Sequence, residues 1–117
     1  MRSGSRMTAI GLVLHPTKPV DRSIDTILEG ARGHPVRVLA REHDRHRVPA
    51  QVQPVPDSTF VGEVDIVIAL GGDGTMLGAM RLMIERPVPV LGVNYGDLGF
   101  LVEVTPEGLP AALERLT

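Results

Sequence analysis

The sequence lacks several features that would point to particular classes of protein. Its 117 residues include no cysteine, which excludes disulfides, thiolate metal sites and a cysteine nucleophile. Three aromatic residues are too few for a platform that stacks nucleic-acid bases. The net charge of -2 gives no basic excess for nucleic acid or a membrane surface, and no apolar run approaches the roughly 20 residues that span a bilayer. We therefore expect neither nucleic acid nor a membrane as a partner. We expect the protein to be located in a reducing cytoplasm.

The length of the chain is that of one domain. Residues 1–6 are basic and rich in Ser and Gly, and we interpret them as a disordered extension ahead of Met7. Gly11 and Pro16 interrupt the apolar stretch that follows, so the N-terminus does not read as an export signal. The domain is expected over residues 7–117.

Short apolar runs alternate with helical patterns along the chain, which predicts an α/β fold with a mostly parallel sheet. Strands are expected at residues 9–14, 36–40, 64–70 and 88–93. Pro89 would place the fourth at an edge or at a strand start. One helix is expected from Pro19 to Ala31, and a second is expected to end before Pro87, with one apolar face formed by Met76, Leu77, Met80, Met83 and Ile84.

Two regions fall outside this regular alternation. Residues 41–63 carry charges, histidines and three prolines, and we expect an exposed connection with room for one short helix. Residues 94–100 are expected to form a second glycine-containing turn. Thr105 and Pro106 predict the N-cap and first position of a last helix.

The loop at residues 71–75, Gly-Gly-Asp-Gly-Thr, is the strongest chemical signal in the sequence. It lies between a predicted strand and a predicted helix, where helix N–H groups and glycine backbone can approach phosphate closely. The charge of Asp73 would repel phosphate, so the residue makes more sense facing a hydroxyl whose proton it accepts. The alternative is that Asp73 only caps the helix and the glycines only form a tight turn.

A second motif selects among the families that share this loop. Gly-Gly-Asp-Gly-Thr after an apolar strand resembles NAD kinases, diacylglycerol-type lipid kinases and, more distantly, phosphofructokinases. The segment at residues 91–101, Leu-Gly-Val-Asn-Tyr-Gly-Asp-Leu-Gly-Phe-Leu, resembles NAD kinases specifically. The resemblance implies a Rossmann-like, three-layer N-terminal domain with at least four strands, spans residues 8–116, and is specific over residues 64–104.

The resemblance also implies roles for individual residues. Asp73 matches the catalytic base that activates the 2′-hydroxyl of the adenosine ribose of NAD. Gly71, Gly72 and Thr75 match the loop that approaches the donor phosphates, and the donor is ATP or inorganic polyphosphate. The remaining matches are contacts to the dinucleotide: Gly74, Leu77, Asn94, Phe100 and Leu101. Magnesium would be held mainly by phosphate oxygens, because no carboxylate cluster typical of a protein-made site is present.

The sequence departs from the family pattern in three ways. Gly78 replaces a longer, sometimes basic residue, and Asp97 places an acid where basic or neutral residues are common. The resemblance implies a second, β-rich domain that completes the substrate site, and we expect it to be absent from these 117 residues. We expect this chain to carry the N-terminal half of the site and to have little activity alone. Family members are usually dimers or tetramers, so a homo-oligomer is expected for the full-length protein.

Other interpretations stay open from the residues alone. His15 and Lys18 follow the first strand at the sheet edge that also carries the glycine loop, so either could approach phosphate, or the segment could be only a turn. His43 and His46 could bind a metal or could be polar surface. The protein could also be a non-catalytic nucleotide-binding module or a lipid kinase, although no exposed apolar or basic stretch for a membrane is evident.

Overall fold

The computed structural model describes residues 7–94 and 103–104, with side chains over 7–93. The described residues form a six-stranded sheet in which every neighbouring pair of strands is parallel. The strands are β1 Thr8–Leu14, β2 Val36–Arg41, β3 Gln53–Val55, β4 Ile66–Gly71, β5 Val90–Asn94 and β6 Glu103–Val104. Their spatial order is β3-β2-β1-β4-β5-β6, which is the doubly wound arrangement.

Three α-helices connect these strands and cover both faces of the sheet. They are α1 Asp21–Ala31, α2 Asp57–Glu63 and α3 Asp73–Leu82. A 3-10 helix, Glu42–Arg47, lies between β2 and β3. The two faces carry separate clusters of buried side chains, one packed with α1 and the other with α2 and α3. The expected three-layer α/β architecture is therefore confirmed.

The alternation of side chains along the central strands explains these two clusters. In β1, Ile10, Leu12 and Leu14 point toward α1, whereas Ala9 and Val13 point toward α2 and α3. All six residues of β4 are buried, as expected for a strand covered on both faces. Both clusters include residues of β1 and β4, so these two strands are packed on both faces of the sheet and their ends are held side by side.

The start of β1 explains the one charged residue in an otherwise apolar stretch. The Asp65 carboxylate accepts a hydrogen bond from the Ala9 N–H at 2.8 Å, and the Asp65 N–H donates to the Ala9 carbonyl at 2.8 Å. This reciprocal pair ties the entry of β4 to the beginning of β1. Asp65 therefore has a structural role at the amino ends of β1 and β4, whereas the glycine loop lies at the carboxyl end of β4.

The expected strands and the first helix are confirmed with small shifts of their ends, but the prediction for residues 41–63 is wrong in part. Most of these residues are exposed or half-buried and α2 is a short helix, but the region also holds the 3-10 helix and β3, so it is more ordered than a connection. Phe60 of α2 is fully buried. The charges and prolines concealed this order because the buried contacts are few and widely spaced. Pro89 lies just before β5, which is an inner strand of the described sheet, so the strand-start interpretation holds.

The predicted apolar face of α3 is also wrong in part. Met76, Ala79 and Met83 are buried, whereas Leu77, Met80 and Ile84 are 46%, 44% and 74% exposed. A helix lying on a sheet buries only a narrow stripe, and α3 presents its small Ala79 to the sheet between the two buried methionines. The expected last helix and the turn after β5 lie outside the described residues.

Candidate nucleotide site

The candidate site lies where the order of the strands reverses. The connection after β1 runs toward one edge of the sheet and the connection after β4 runs toward the other, which leaves a crevice beyond their carboxyl ends. A cavity of about 920 Å³ occupies this position. Its described lining comes from the β1–α1 turn (residues 15–19), the β4–α3 turn (residues 71–74) and the segment from Arg41 to Arg47.

The β4–α3 turn forms one wall of the cavity from backbone and short side chains. Gly72 is the N-cap of α3 and has a φ of 134°, a conformation that side chains disfavour. A Cβ at Gly71 would lie 2.9 Å from the Cβ of His15 and would also overlap the Thr75 hydroxyl. Glycine is therefore required at both positions for the chain to leave β4 close to His15 and turn into α3.

Asp73 is the first residue of α3 and lines the cavity. The residue is half-buried, and its Oδ1 atom is enclosed. Gly72, and not Asp73, occupies the N-cap position of this helix. A carboxylate at this corner can face a hydroxyl in the cavity while the first N–H groups of α3 face an anion.

The β1–α1 turn forms the opposite wall and is fixed by side chains. The His15 N–H donates to the Leu70 carbonyl at 2.8 Å, which joins this turn to the end of β4. The His15 Nδ1 atom accepts hydrogen bonds from the N–H groups of Thr17 and Lys18, each at 3.0 Å. In the neutral ring this leaves the proton on Nε2.

Arg47 fastens the β1–α1 turn from outside. Its guanidinium donates to the His15 carbonyl at 2.7 Å and to the Lys18 carbonyl at 2.9 Å. Asp44, which is 5% exposed, lies 3.6 Å from Arg47 and 3.5 Å from His43. These contacts join the 3-10 helix to the β1–α1 turn.

Arg41 lines the cavity beside this contact and is held by an acid of α2. Its guanidinium donates to both Asp57 oxygens, at 2.9 and 2.6 Å. This hydrogen-bonded pair raises the pKa of Arg41, helped by the nearby charges of Asp57 and Asp44 and opposed by partial burial. The same hydrogen bonds, opposed by partial burial and aided by the Arg41 charge, lower the pKa of Asp57. Arg41 therefore keeps its positive charge and directs Nε and one Nη group at Asp57.

The structure brings together all five residues of the glycine loop. Gly71, Gly72, Asp73, Gly74 and Thr75 all line the same cavity, together with Gly78. Leu77 is exposed and lies outside the described lining. The backbone of Asn94 ends β5, next to β4. Phe100 and Leu101, and the departure at Asp97, lie outside the described residues.

Sequence reasoning missed the contribution of residues 41–47 to the cavity. Arg41, His43, Asp44 and Arg47 all line the cavity, whereas the sequence pattern predicts an exposed connection for this segment. One signal was available, because Arg41 ends β2, whose carboxyl end shares the edge of the sheet with β1 and β4. The hydrogen bonds of Arg47 to two backbone carbonyls leave no trace in a sequence pattern.

A metal site made by the protein does not emerge from the described part of the chain. Over residues 7–94 and 103–104, no group of three His, Asp or Glu side chains could hold an ion. His43 and His46 do not gather such a group. Within these same ranges, no helix has both the length and the apolar character needed to cross a bilayer.

The fold and the cavity together define a doubly wound α/β domain with a glycine-rich crevice of the nucleotide-binding type. Comparison with known proteins gives the family. The family model described as the ATP-NAD kinase N-terminal domain matches residues 12–117, and the chain belongs to this family.

Individual relatives agree with this assignment. An NAD kinase of Syntrophotalea carbinolica is 38% identical over 95 residues, which are 81% of this chain and 29% of the relative. An NAD kinase of Tolumonas auensis is 34% identical over 83% of this chain and 33% of its own length. The crystal structure of yeast NADH kinase complexed with NADH superposes with a TM-score of 0.77 at 20% identity, covering 94% of this chain and 38% of that one. The chain thus spans about a third of the length of these two bacterial relatives, and the likeness to the yeast structure concerns the fold.

Proposed function

We propose that this chain supplies one part of the site in which a phosphoryl group is transferred from ATP or inorganic polyphosphate to the 2′-hydroxyl of the adenosine ribose of NAD. The observation that carries the proposal is the position of Asp73 at the N-terminus of α3. There it lines a cavity large enough for a nucleotide. Membership of the ATP-NAD kinase family supports the substrate class. The remainder of the site would come from the part of the relatives that this chain does not span.

The proposed reaction assigns Asp73 the role of general base. Its carboxylate accepts the proton of the 2′-hydroxyl while the ribose oxygen forms a bond to the terminal phosphorus of the donor. The bond between that phosphorus and the bridging oxygen breaks, and its electron pair leaves with the shortened donor. The products are NADP and ADP, or NADP and a polyphosphate one unit shorter.

The β4–α3 turn has a second role in this reaction. The first N–H groups of α3 and the positive end of its dipole face the cavity, and they favour phosphate oxygens next to the carboxylate. Gly72 and Gly74 allow the phosphates to approach the backbone, because neither has a side chain. We assign Gly71 a structural role within the turn, since its missing Cβ makes room for His15 and Thr75.

The test requires a complete site. The chain is joined to the remaining two thirds of the Syntrophotalea carbinolica NAD kinase, and NADP formation is measured with ATP and with polyphosphate as donors. Asp73→Asn is expected to lower turnover by about 10²–10⁴-fold, because a general base typically contributes that much. The Kd for NAD should change by less than about threefold, because the asparagine side chain keeps the shape of aspartate while it loses the charge and the basicity.

The matched control is Asp25→Asn on the exposed face of α1, which removes the same charge away from the cavity and should leave turnover unchanged. Turnover near the wild-type value in Asp73→Asn would show that Asp73 is structural. Saturable NAD binding with no NADP formed by the joined protein would favour a non-catalytic binding module. Phosphorylation of diacylglycerol in place of NAD would favour the lipid-kinase alternative.

The oligomeric state and the cytoplasmic location of the protein stay predictions.

A further inference from the structure

Lys18 stands out among the basic residues that line the cavity. It is the sole lysine of the chain, against eleven arginines in a total of twelve Lys and Arg residues. Its side chain is exposed at the wall opposite the glycine turn. Within the described residues, its hydrogen bonds are made by its backbone N–H and carbonyl, and its ammonium group makes none.

The other cations of this wall are already engaged. Arg41 donates to both oxygens of Asp57, and Arg47 donates to the carbonyls of His15 and Lys18. Among the Lys and Arg side chains in the described lining, Lys18 is therefore the one whose charge is not already directed at a protein acceptor. An ammonium on a flexible stem is suited to binding phosphate as a point charge.

The β1–α1 turn holds Lys18 in a defined place although its side chain is exposed. The Lys18 N–H donates to His15 Nδ1, and the Lys18 carbonyl accepts from Arg47. Because the N–H groups of Thr17 and Lys18 are both occupied by His15, the backbone of this turn does not offer a phosphate-binding loop. An anion at this wall would be bound by side chains, namely the Lys18 ammonium and the Nε2–H of His15.

The position of the wall gives the chemistry of the ligand. His15 contacts the end of β4 through its N–H and lies against Gly71, so the β1–α1 turn and the N-terminus of α3 face one cavity. A chain of phosphates could contact both walls. Asp73 repels the phosphates, and a cation across the cavity would offset this repulsion where negative charge builds up on the departing phosphate.

We propose that Lys18, supported by His15, forms the subsite for the polyphosphate chain of the phosphoryl donor. This inference rests on the proposed function and assigns one substrate of that reaction to one wall of the site. Lys18 neither accepts nor donates a proton in the transfer. It binds the donor and compensates the charge on the leaving phosphate.

The single lysine makes a direct binding test possible on the 117-residue chain. Reductive methylation with ¹³C-formaldehyde labels Lys18 and the N-terminal amine, retains both charges, and gives two resolved sets of NMR signals. Titration with inorganic tripolyphosphate and with ATP should shift the Lys18 signal saturably and leave the N-terminal signal in place. AMP has no polyphosphate chain, so an at least about tenfold higher concentration of AMP should be needed to shift the Lys18 signal equally.

The two sources of a polyphosphate chain are separated in the same titration. A Kd for ATP well below that for tripolyphosphate would mark a nucleotide donor, and equal values would mark a subsite that also accepts inorganic polyphosphate. Either result supports the subsite. An unmoved Lys18 signal at ligand concentrations that shift the amides of residues 72–75 would overturn it.

Variants test the energetic contribution of the side chain. Lys18→Ala should raise the Kd for tripolyphosphate about tenfold or more, as expected when a hydrogen bond between charged groups is lost. Lys18→Arg should stay within about threefold of wild type. Arg32→Ala, which removes a positive charge from an exposed side chain beyond the C-terminal end of α1, should stay within twofold. The melting temperature of Lys18→Ala should match that of wild type, because the ammonium has no described protein partner.

The proposal for Lys18 and the proposed function can be overturned independently of each other. A Kd for Lys18→Ala within twofold of wild type would overturn the subsite, even if Asp73→Asn abolishes NADP formation in the joined protein. Wild-type turnover in Asp73→Asn would overturn the base, even if Lys18→Ala loses tripolyphosphate. NAD affinity unchanged in Lys18→Ala, with the Kd for ATP raised, supports assignment of this wall to the donor.

Discussion

The two turns that face each other across the cavity are built in opposite ways. The β4–α3 turn relies on missing side chains, because Gly71 and Gly72 stand where a Cβ would overlap a neighbour or strain the backbone. The β1–α1 turn relies on side chains, because His15 Nδ1 and the Arg47 guanidinium satisfy its backbone groups. The first turn can approach a ligand with its backbone, and the second can do so only with its side chains. One cavity thus offers two different surfaces to its ligands.

The largest effect is expected where the two turns touch. Gly71→Ala would place a Cβ 2.9 Å from the Cβ atoms of His15 and Thr75, so the turns must move apart. Overpacking of this kind, in a fully buried strand end, should lower the free energy of unfolding by about 3 kcal/mol. Urea denaturation followed by circular dichroism measures the change.

Gly62→Ala is the matched control for this substitution. Gly62 lies in α2, and a Cβ there would meet nothing within 4 Å, so stability should stay the same or rise slightly. A stable Gly71→Ala protein with unchanged ligand binding would contradict the view that the absence of a Cβ at this position sets the distance between the turns.

A smaller effect is expected from the fastening of the β1–α1 turn. Arg47→Ala removes two hydrogen bonds to backbone carbonyls and leaves the buried Asp44 with a weaker partner, His43. The free energy of unfolding should fall by about 2 kcal/mol. Amide hydrogen exchange should accelerate at Thr17 and Lys18, while the amides of α3 keep their protection.

Arg45→Ala provides the comparison on the same 3-10 helix. Its ion pair with Glu42 is 3.1 Å long, but both side chains are more than half exposed, so the change should be below about 0.5 kcal/mol. Equal losses for the two arginines would show that Arg47 stabilises the 3-10 helix in general and does not fasten the β1–α1 turn.

His15 tests whether its ring acts as a hydrogen-bond acceptor for the turn. His15→Ala removes the acceptor for two backbone N–H groups and should lower the free energy of unfolding by about 1 kcal/mol, as the loss of a helix cap does. His15→Asn should recover most of this, because an Asn side-chain oxygen accepts from the same N–H groups in an Asx turn. Thermal denaturation of both variants would decide, and an Asn variant as unstable as the Ala variant would contradict the acceptor role.

The contrast between the turns also explains what the sequence could predict. Glycines next to Asp73, between an apolar strand and a helix, form a compact local pattern, and the residues of this pattern line one cavity. The role of Arg47 depends on carbonyls 32 and 29 residues away, and no local pattern encodes such a contact. The exposure of Leu77 and Met80 was missed for a similar reason, since only the packed sheet decides which stripe of α3 is covered.

The smallest effect is expected at the ion pair between Arg41, which lines the cavity, and Asp57 of α2. The hydrogen bonds from Arg41 lower the pKa of Asp57 below its ordinary value of 3.8. A carboxyl whose pKa is lowered by folding stabilises the protein above its unfolded pKa, and this contribution is lost as the pH falls through the folded pKa. Asp57→Asn should therefore be less stable than wild type at about pH 7, and the difference should disappear as the pH falls through the pKa of Asp57 in the folded protein. Because the Asp57 side chain is 51% exposed, the difference should be below about 1 kcal/mol. Urea denaturation at several pH values, with Asp25→Asn as an exposed control, checks this, and a difference that persists at the lowest pH would mean that the Asp57 charge is not what holds Arg41.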